Sequence, residues 1–241
     1  MKSRKDGRSL LEIRKLTLTR GYLPYAEGSC LVELGETRII TAASVARSVP
    51  PWLTGQGTGW VTAEYGMLPR STQNRNRRPV TAGQQSGRTM EIQRLIGRAL
   101  RAVTDFSRLG ENTIYIDCDV LNADGGTRVA SIIGAALALR DACGWMIQKG
   151  LIEQPVMQEL VSAVSVGMVK GTLMVDLSYA EDSSADVDMN IVMTESGNLV
   201  EIQGTAEGKT FDRSVLNDII DAVEPAIKQI IEIQRETLGL T

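Results

Sequence analysis

Two short segments place glycine and arginine just ahead of stretches whose apolar spacing is helical: Ser86-Gly87-Arg88-Thr89 and Gly125-Gly126-Thr127-Arg128. Glycine lets a backbone approach a ligand closely. A helix start offers unpaired N–H groups and the positive end of a dipole, which together make an anion site. Thr127 could cap its helix or donate to a phosphate, and Arg128 adds a planar charged fork. Arg88 stands where a cation opposes the helix dipole, so a bound anion would compensate it. Taken singly, the first segment reads more readily as a solvated arginine and the second as a tight turn with a threonine N-cap. Neither has the GxxxxGK[ST] spacing of a P-loop.

A third segment supplies acid. Glu181, Asp182, Asp186 and Asp188 fall within eight residues. Asp182, Asp186 and Asp188 could converge on a divalent metal, although the spacing is not that of an EF-hand and a solvated acidic loop has the same composition. Asp117 and Asp119 lie two apart and could form a carboxylate pair. The chain has no histidine. That excludes Ser-His-Asp and Cys-His nucleophiles and histidine-bound zinc. Catalysis here must rest on carboxylates, oxygen-bound metals, arginine clamps and backbone N–H groups, the parts that phosphoryl transfer uses.

Arginine is also concentrated. Residues 70–101 hold eight arginines, no lysine and one acid, Glu91, in a chain of net charge −3. A guanidinium fork matches phosphate oxygens two at a time, whereas an ammonium is a point charge. The segment therefore points to polyphosphate ligands, RNA or DNA first. Aromatic residues make up only 4%, which argues against base-stacking platforms. A nucleic acid would be held by its backbone.

These residues need elements to position them. Residues 28–45 read as a hairpin turning at Gly35-Glu36, and 60–68 as a strand. From Arg88, the recurrence of Ile92, Leu95, Ile96, Ala99, Leu100 and Val103 predicts a helix, with Arg94, Arg98 and Arg101 off its apolar stripe. Residues 113–121 alternate strictly, with Ile114, Ile116, Cys118 and Val120 on one face and Tyr115, Asp117 and Asp119 on the other. DGGTR at 124–128 then opens a helix of about five turns. Strands follow at 161–169 and 172–179, turning at Lys170-Gly171, and at 187–194 and 199–205, turning at Ser196-Gly197-Asn198. A last helix starts near Asp212 or Ser214. The pattern predicts one α+β domain over 1–241 with a weak internal duplication, helices segregated from mixed and largely antiparallel sheets.

Composition adds bounds. No apolar run in the sequence approaches a bilayer span, and the charged N-terminus lacks a signal-peptide core, so the cytosol is the default expectation. Cys30, Cys118 and Cys143 have no CxxC spacing and read as reduced core thiols.

Longer words in the sequence resemble the bacterial ribonuclease PH family of phosphorolytic 3′→5′ exoribonucleases. They are RKDGR at 4–8, EGS at 27–29, GWVTAEYGMLPR at 59–70, RNRR at 75–78, QSGRTMEIQRLIGRALRAV at 85–103, DCDVLNADGGTR at 117–128, AVSVG at 163–167, DLSYAEDSSADVDMN at 176–190 and EIQGTAEG at 201–208. The likeness runs through the whole chain in order. Pro79 and Gln84 depart from it, standing where the family often has an acid and a lysine.

The resemblance implies that inorganic phosphate attacks the last phosphodiester of an RNA, releasing a nucleoside diphosphate in a reversible nucleotidyl transfer. It implies trimming of tRNA precursors at their 3′ ends. It places phosphate on Arg88, Gly126, Thr127 and Arg128, and catalysis and a divalent ion, Mg2+ by expectation, on Asp182 and Asp188, with Asp182 favoured as general acid. It gives RNA contacts to Arg70, Arg75, Arg77 and Arg78. It implies a homohexameric ring built as a trimer of dimers. The contrasting expectation is a catalytically silent RNA-binding ring subunit of an exosome-like complex. Such a subunit would be expected to lose the GGTR arginine or the late aspartates, and both are present here. General messenger-RNA decay is a third reading, disfavoured by the lack of an added KH or S1-type domain.

Overall fold

A computed structural model of the chain describes residues 4–78, 81, 83–206 and 210–240. Pro79, one of the departures noted above, lies outside the described residues.

Two sheets carry the fold. Strands β1 (Leu16–Arg20), β2 (Gly28–Leu34), β3 (Thr37–Ala46), β4 (Trp60–Met67) and β5 (Thr113–Asn122) form a mixed sheet in the order β1-β2-β3-β5-β4. Its pairs are antiparallel except β4 with β5, which run parallel with Glu64 beside Asp117. Between them the chain passes through helices α1 (Gly87–Ala102) and α2 (Phe106–Leu109). Helix α3 (Thr127–Gln148) follows β5. Strands β6 (Val161–Val169), β7 (Thr172–Val175), β8 (Ala185–Thr194) and β9 (Leu199–Ala206) form an antiparallel sheet ordered β7-β6-β8-β9. A one-turn helix α4 (Tyr179–Asp182) separates β7 from β8, and α5 (Arg213–Leu238) closes the fold.

Alternation decides the first sheet. Ile114, Ile116, Cys118 and Val120 of β5 are all buried, while Tyr115 on the opposite face is exposed. Helix α3 is buried on almost every side because it lies between the sheets, against β2 and β3 on one flank and β6 on the other. A side chain at Gly134 would run into Val32 and Thr41, so the glycine sets how closely α3 approaches the sheet. By length and composition α3 is apolar enough to cross a membrane. The expectation that no run approaches that length is thus corrected, and burial identifies α3 as a core helix. One hydrophobic cluster joins both sheets with α1, α3 and α5.

The α+β architecture matches the sequence pattern, with differences. Strand β1 and helix α2 carry too little periodicity to be read. Strand β7 ends at Val175 rather than 179. There Asp176 takes φ +53, a left-handed conformation that stops a ladder. The next residues form a capping box instead, with Ser178 and Glu181 satisfying each other's backbone. Cys30, Cys118 and Cys143 are buried and free, and burial pushes the thiols up, to about 12 for Cys30 and Cys143.

Candidate active site

The glycine segment turns β5 into α3. Gly125 (φ +76) and Gly126 (φ +68) are consecutive left-handed residues, a conformation costly for any side chain. Space imposes a second demand. A Cβ on Gly125 would lie 2.6 Å from the Leu177 carbonyl oxygen and 2.7 Å from the Tyr179 nitrogen. The Thr37 hydroxyl fixes the turn, donating to the Gly125 carbonyl at 2.7 Å and accepting from the Asp124 N–H at 3.0 Å.

Gly126, not Thr127, takes the N-cap position, and no side chain caps α3. The expectation of a threonine cap is therefore corrected. Thr127 is the first helical residue, its hydroxyl 2.9 Å from that of buried Tyr65 on β4. The first N–H groups of α3 are left without a side-chain acceptor, which is the condition for anion binding at a helix start.

Around this helix start stand charged groups from three other elements, α1, α4 and β8. Arg128 reaches Glu91 of α1 at 3.4 Å and Gln203 of β9 at 3.2 Å. Arg88 is exposed in the first turn of α1, where Ser86 supplies the cap by accepting from the Thr89 N–H. Arg88 has no hydrogen bond or ion pair among the described residues. Asp188 of β8 is partly buried, and its pKa rises from 3.8 to about 6. Burial is the main cause, followed by the Asp182 carboxylate, which it also meets through a hydrogen bond; Arg128 and Arg88 pull the other way. The same two guanidiniums act on the Tyr65 hydroxyl. Arg88, Arg128, Asp182, Asp188, Thr127 and Tyr65 thus share one electrostatic neighbourhood.

The expected three-carboxylate set does not assemble. Asp186 is exposed, and the described residues contain no group of three His, Cys, Asp or Glu side chains placed to hold a metal. Glu181 is engaged elsewhere, by Arg4 and the capping box. Asp117 and Asp119 lie on the open face of the first sheet; burial, and for Asp117 also Glu64 and Asp119, raises their pKa values.

Positioning comes from a source the sequence hid. Residues 4–14 clasp Asp176, which is 1% exposed. Its carboxylate accepts from the Arg14 backbone N–H at 2.6 Å and from the Arg14 guanidinium at 2.6 and 3.0 Å, and from Arg8 at 3.2 Å. Arg14 also donates to the carbonyls of Asp124 and Gly125 at 2.5 and 3.4 Å. Arg4 donates to the Val175 and Asp176 carbonyls at 2.6 and 2.7 Å and binds the Glu181 carboxylate through two nitrogens. One arm therefore grips both the glycine turn and the helix that ends in Asp182. A buried carboxylate surrounded by donors in this way holds its geometry because losing a partner strands a charge.

The arginine loop roots beside the same turn. Ser71, 1% exposed, accepts from the Ala123 N–H at 2.8 Å, and Asn76 N–H donates to the Pro69 carbonyl at 2.8 Å. Arg70, Arg75, Arg77 and Arg78 all face solvent without an ion pair among the described residues. Of the helical arginines, Arg98 pairs with Glu201 of β9, and Arg101 lies over the Trp60 ring at 4.7 Å from its centroid. These two tie α1 to both sheets.

Comparison with known proteins accords with this architecture. Residues 12–143 match domain 1 of the RNase PH type 3′ exoribonuclease family, and residues 159–222 match its domain 2. The chain belongs to this 3′ exoribonuclease family. Among solved structures it superposes on a chain of the Archaeoglobus fulgidus exosome with RNA bound to the active site (TM-score 0.80, 23% identity, 95% of this chain and 92% of that one). It also superposes on rice (Oryza sativa) Rrp46 (TM-score 0.78, 19% identity, 98% and 100%) and on an archaeal exosome core subunit (TM-score 0.77, 22% identity, 98% and 91%). At these identities the likeness is one of fold.

Proposed function

We propose that this chain is a phosphate-dependent 3′→5′ exoribonuclease of the ribonuclease PH type, trimming tRNA precursors and releasing nucleoside diphosphates. The observation that carries the reading is the gathering of Arg88, Arg128 and the uncapped start of α3 opposite the Asp182–Asp188 pair. The attacking phosphate and the diester it attacks are both anions. Two guanidiniums and the helix N–H groups would neutralise their repulsion and orient the nucleophile. Thr127, its hydroxyl held by Tyr65, would add one donor. Asp182, hydrogen-bonded to Asp188, is our choice as general acid for the leaving 3′ oxygen.

The carboxylate pair fits a hard divalent ion, because Mg2+ is commonly held by one or two carboxylates with water and substrate phosphate completing its shell. Asp182 and Asp188 would hold it, and it would supply charge stabilisation at the scissile phosphate. Arg70, Arg75, Arg77 and Arg78 would grip the RNA backbone, and the chain would work in a hexameric ring. Because a phosphoanhydride forms as the diester breaks, polymerisation from nucleoside diphosphates is expected in reverse.

A second reading has its own support. The solved structures named above include exosome subunits, so a ring subunit that binds RNA without cleaving it would share this fold. The presence of both arginines beside both aspartates favours activity. The deciding assay incubates the protein with 3′-extended tRNA with and without phosphate. Nucleoside diphosphates should appear only with phosphate, and Arg88→Ala should abolish that dependence. Monophosphates formed without phosphate would overturn phosphorolysis, and no product under either condition would favour the silent subunit.

A further inference from the structure

A cleft of about 650 Å3 opens beside the candidate active site without containing its arginines or aspartates. It shares two walls with that site, Asp124 next to the glycine turn and Glu181 on α4. Lys5, Lys15 and Lys170 line it, and none of the three has an ion pair among the described residues. Its acids are largely committed: Glu181 to Arg4, Asp6 to Arg8, and Glu36 to Arg38. Behind the lysines lies Arg8, whose side chain is 9% exposed. Its Nε serves Asp6, and one terminal nitrogen serves Glu12 and Asp176. The other, Nη2, is buried and has no hydrogen-bond acceptor among the described residues, its one ion pair being a long one to the Glu181 carboxylate at 3.8 Å. A buried charged donor left without an acceptor is costly, and an incoming anion is the group that relieves it.

We propose that this cleft is a second anion site that binds a nucleoside 5′-diphosphate through its phosphates. The volume falls in the range of small-ligand pockets, whereas a polynucleotide track requires an extended groove. Three ammonium groups suit a compact phosphate cluster. Among the described residues no aromatic lines the cleft, so none of them stacks on the base and the site accepts adenosine and uridine diphosphates alike. The same phosphate chemistry could also come from an RNA backbone, and the experiment separates the two sources.

The test uses the full chain carrying Arg88→Ala and Arg128→Ala, which removes the candidate active site's share of anion binding. Equilibrium dialysis with labelled ADP and UDP is compared with the same protein bearing Lys15→Glu and Lys170→Asn, asparagine being chosen because position 170 is left-handed (φ +51). ADP and UDP should bind the first protein with equal affinity and the second at least tenfold more weakly, with the melting temperature unchanged. A short oligoadenylate should bind both equally. A tenfold loss confined to the oligoadenylate would keep the phosphate site and assign it to RNA backbone. Equal affinities in both proteins for every ligand, or no nucleotide binding to the first, would overturn the proposal. The result is independent of the phosphorolysis assay, since the dialysis needs no turnover.

Discussion

Gly125 and Gly126 have similar dihedral angles, yet alanine at the two positions should behave very differently. Both substitutions force a side chain into the left-handed region, at about 1–2 kcal/mol each. Alanine also narrows the unfolded ensemble, which returns about 0.4–1 kcal/mol. At Gly126 the nearest atom to a new Cβ is the Arg14 Nη2, at 2.9 Å, a side-chain atom that must give way by a few tenths of an ångström against its hydrogen bond to Asp176. Gly126→Ala should therefore destabilise by about 1–2 kcal/mol, less than Gly125→Ala. At Gly125 the obstacles are backbone atoms of Leu177 and Tyr179, with the shortest contact, 2.6 Å, about 0.8 Å inside ordinary van der Waals distance. That backbone is pinned by Ser165 and by Arg4, so it cannot retreat cheaply. Overpacking of this kind adds about 1–3 kcal/mol, giving a total of about 2–4 kcal/mol. In a chain of this size that corresponds to roughly 4–16 °C in Tm. The clash would also wedge the glycine turn away from α4, and a displacement near 1 Å costs about 100-fold in catalysis. Thermal melts and phosphate-dependent turnover of both variants test this. Equal melting temperatures, or Gly126→Ala being the worse, would refute the account of the turn.

Three further outcomes follow from the same geometry. Asp188 has a raised pKa, so its carboxyl costs the fold nothing below pH 3.8 and destabilises it increasingly as the pH rises from there to about 6 and above. In buffer free of phosphate and divalent ions, Asp188→Asn should match wild type near pH 4 and gain about 1–3 kcal/mol by pH 7.5 while losing activity; a lower melting temperature than wild type at pH 7.5 would contradict this. Arg14→Ala strands the buried Asp176 carboxylate with only its remaining donors, so denaturant titration should show a loss of about 3 kcal/mol, with Arg14→Lys recovering less than half because an ammonium cannot reproduce the fork. If the loop grips RNA, each of Arg75→Ala, Arg77→Ala and Arg78→Ala should reduce the slope of log affinity against log salt by about 0.7, measured by filter binding across a salt series.

The residues around the helix starts were legible because glycine, a following basic residue and a helical apolar stripe are all local signals. The acidic run was legible as composition but not as geometry. Asp182, Asp186 and Asp188 look equivalent in sequence, and only the capping box at Ser178–Glu181 and the edge of β8 sort the first and last inward and leave Asp186 in water. Tyr65 reads as one more strand residue, since its hydroxyl partner Thr127 is 62 residues away. The early end of β7 was equally hidden. Residues 172–179 alternate well enough for a strand, and the break at Asp176 is imposed by arginines at the far end of the chain. Such long-range electrostatic ties leave no periodicity to read.

Those ties also set a schedule. Arg14 and Asp176 are 162 residues apart, and Arg4 and Glu181 are 177 apart. At ribosomal speeds of about 5–20 residues per second, the N-terminal arm waits roughly 8–35 s after its own synthesis before its partners emerge. For the last part of that interval, about 3–10 s at the same speeds, the glycine turn exists without Asp176 to anchor it and without either site aspartate. A nascent chain can thus expose its arginines while still lacking the acids that would complete the site. On the proposed function, competence would arrive only when the second sheet has packed onto α3 and brought Asp182 and Asp188 to the helix start.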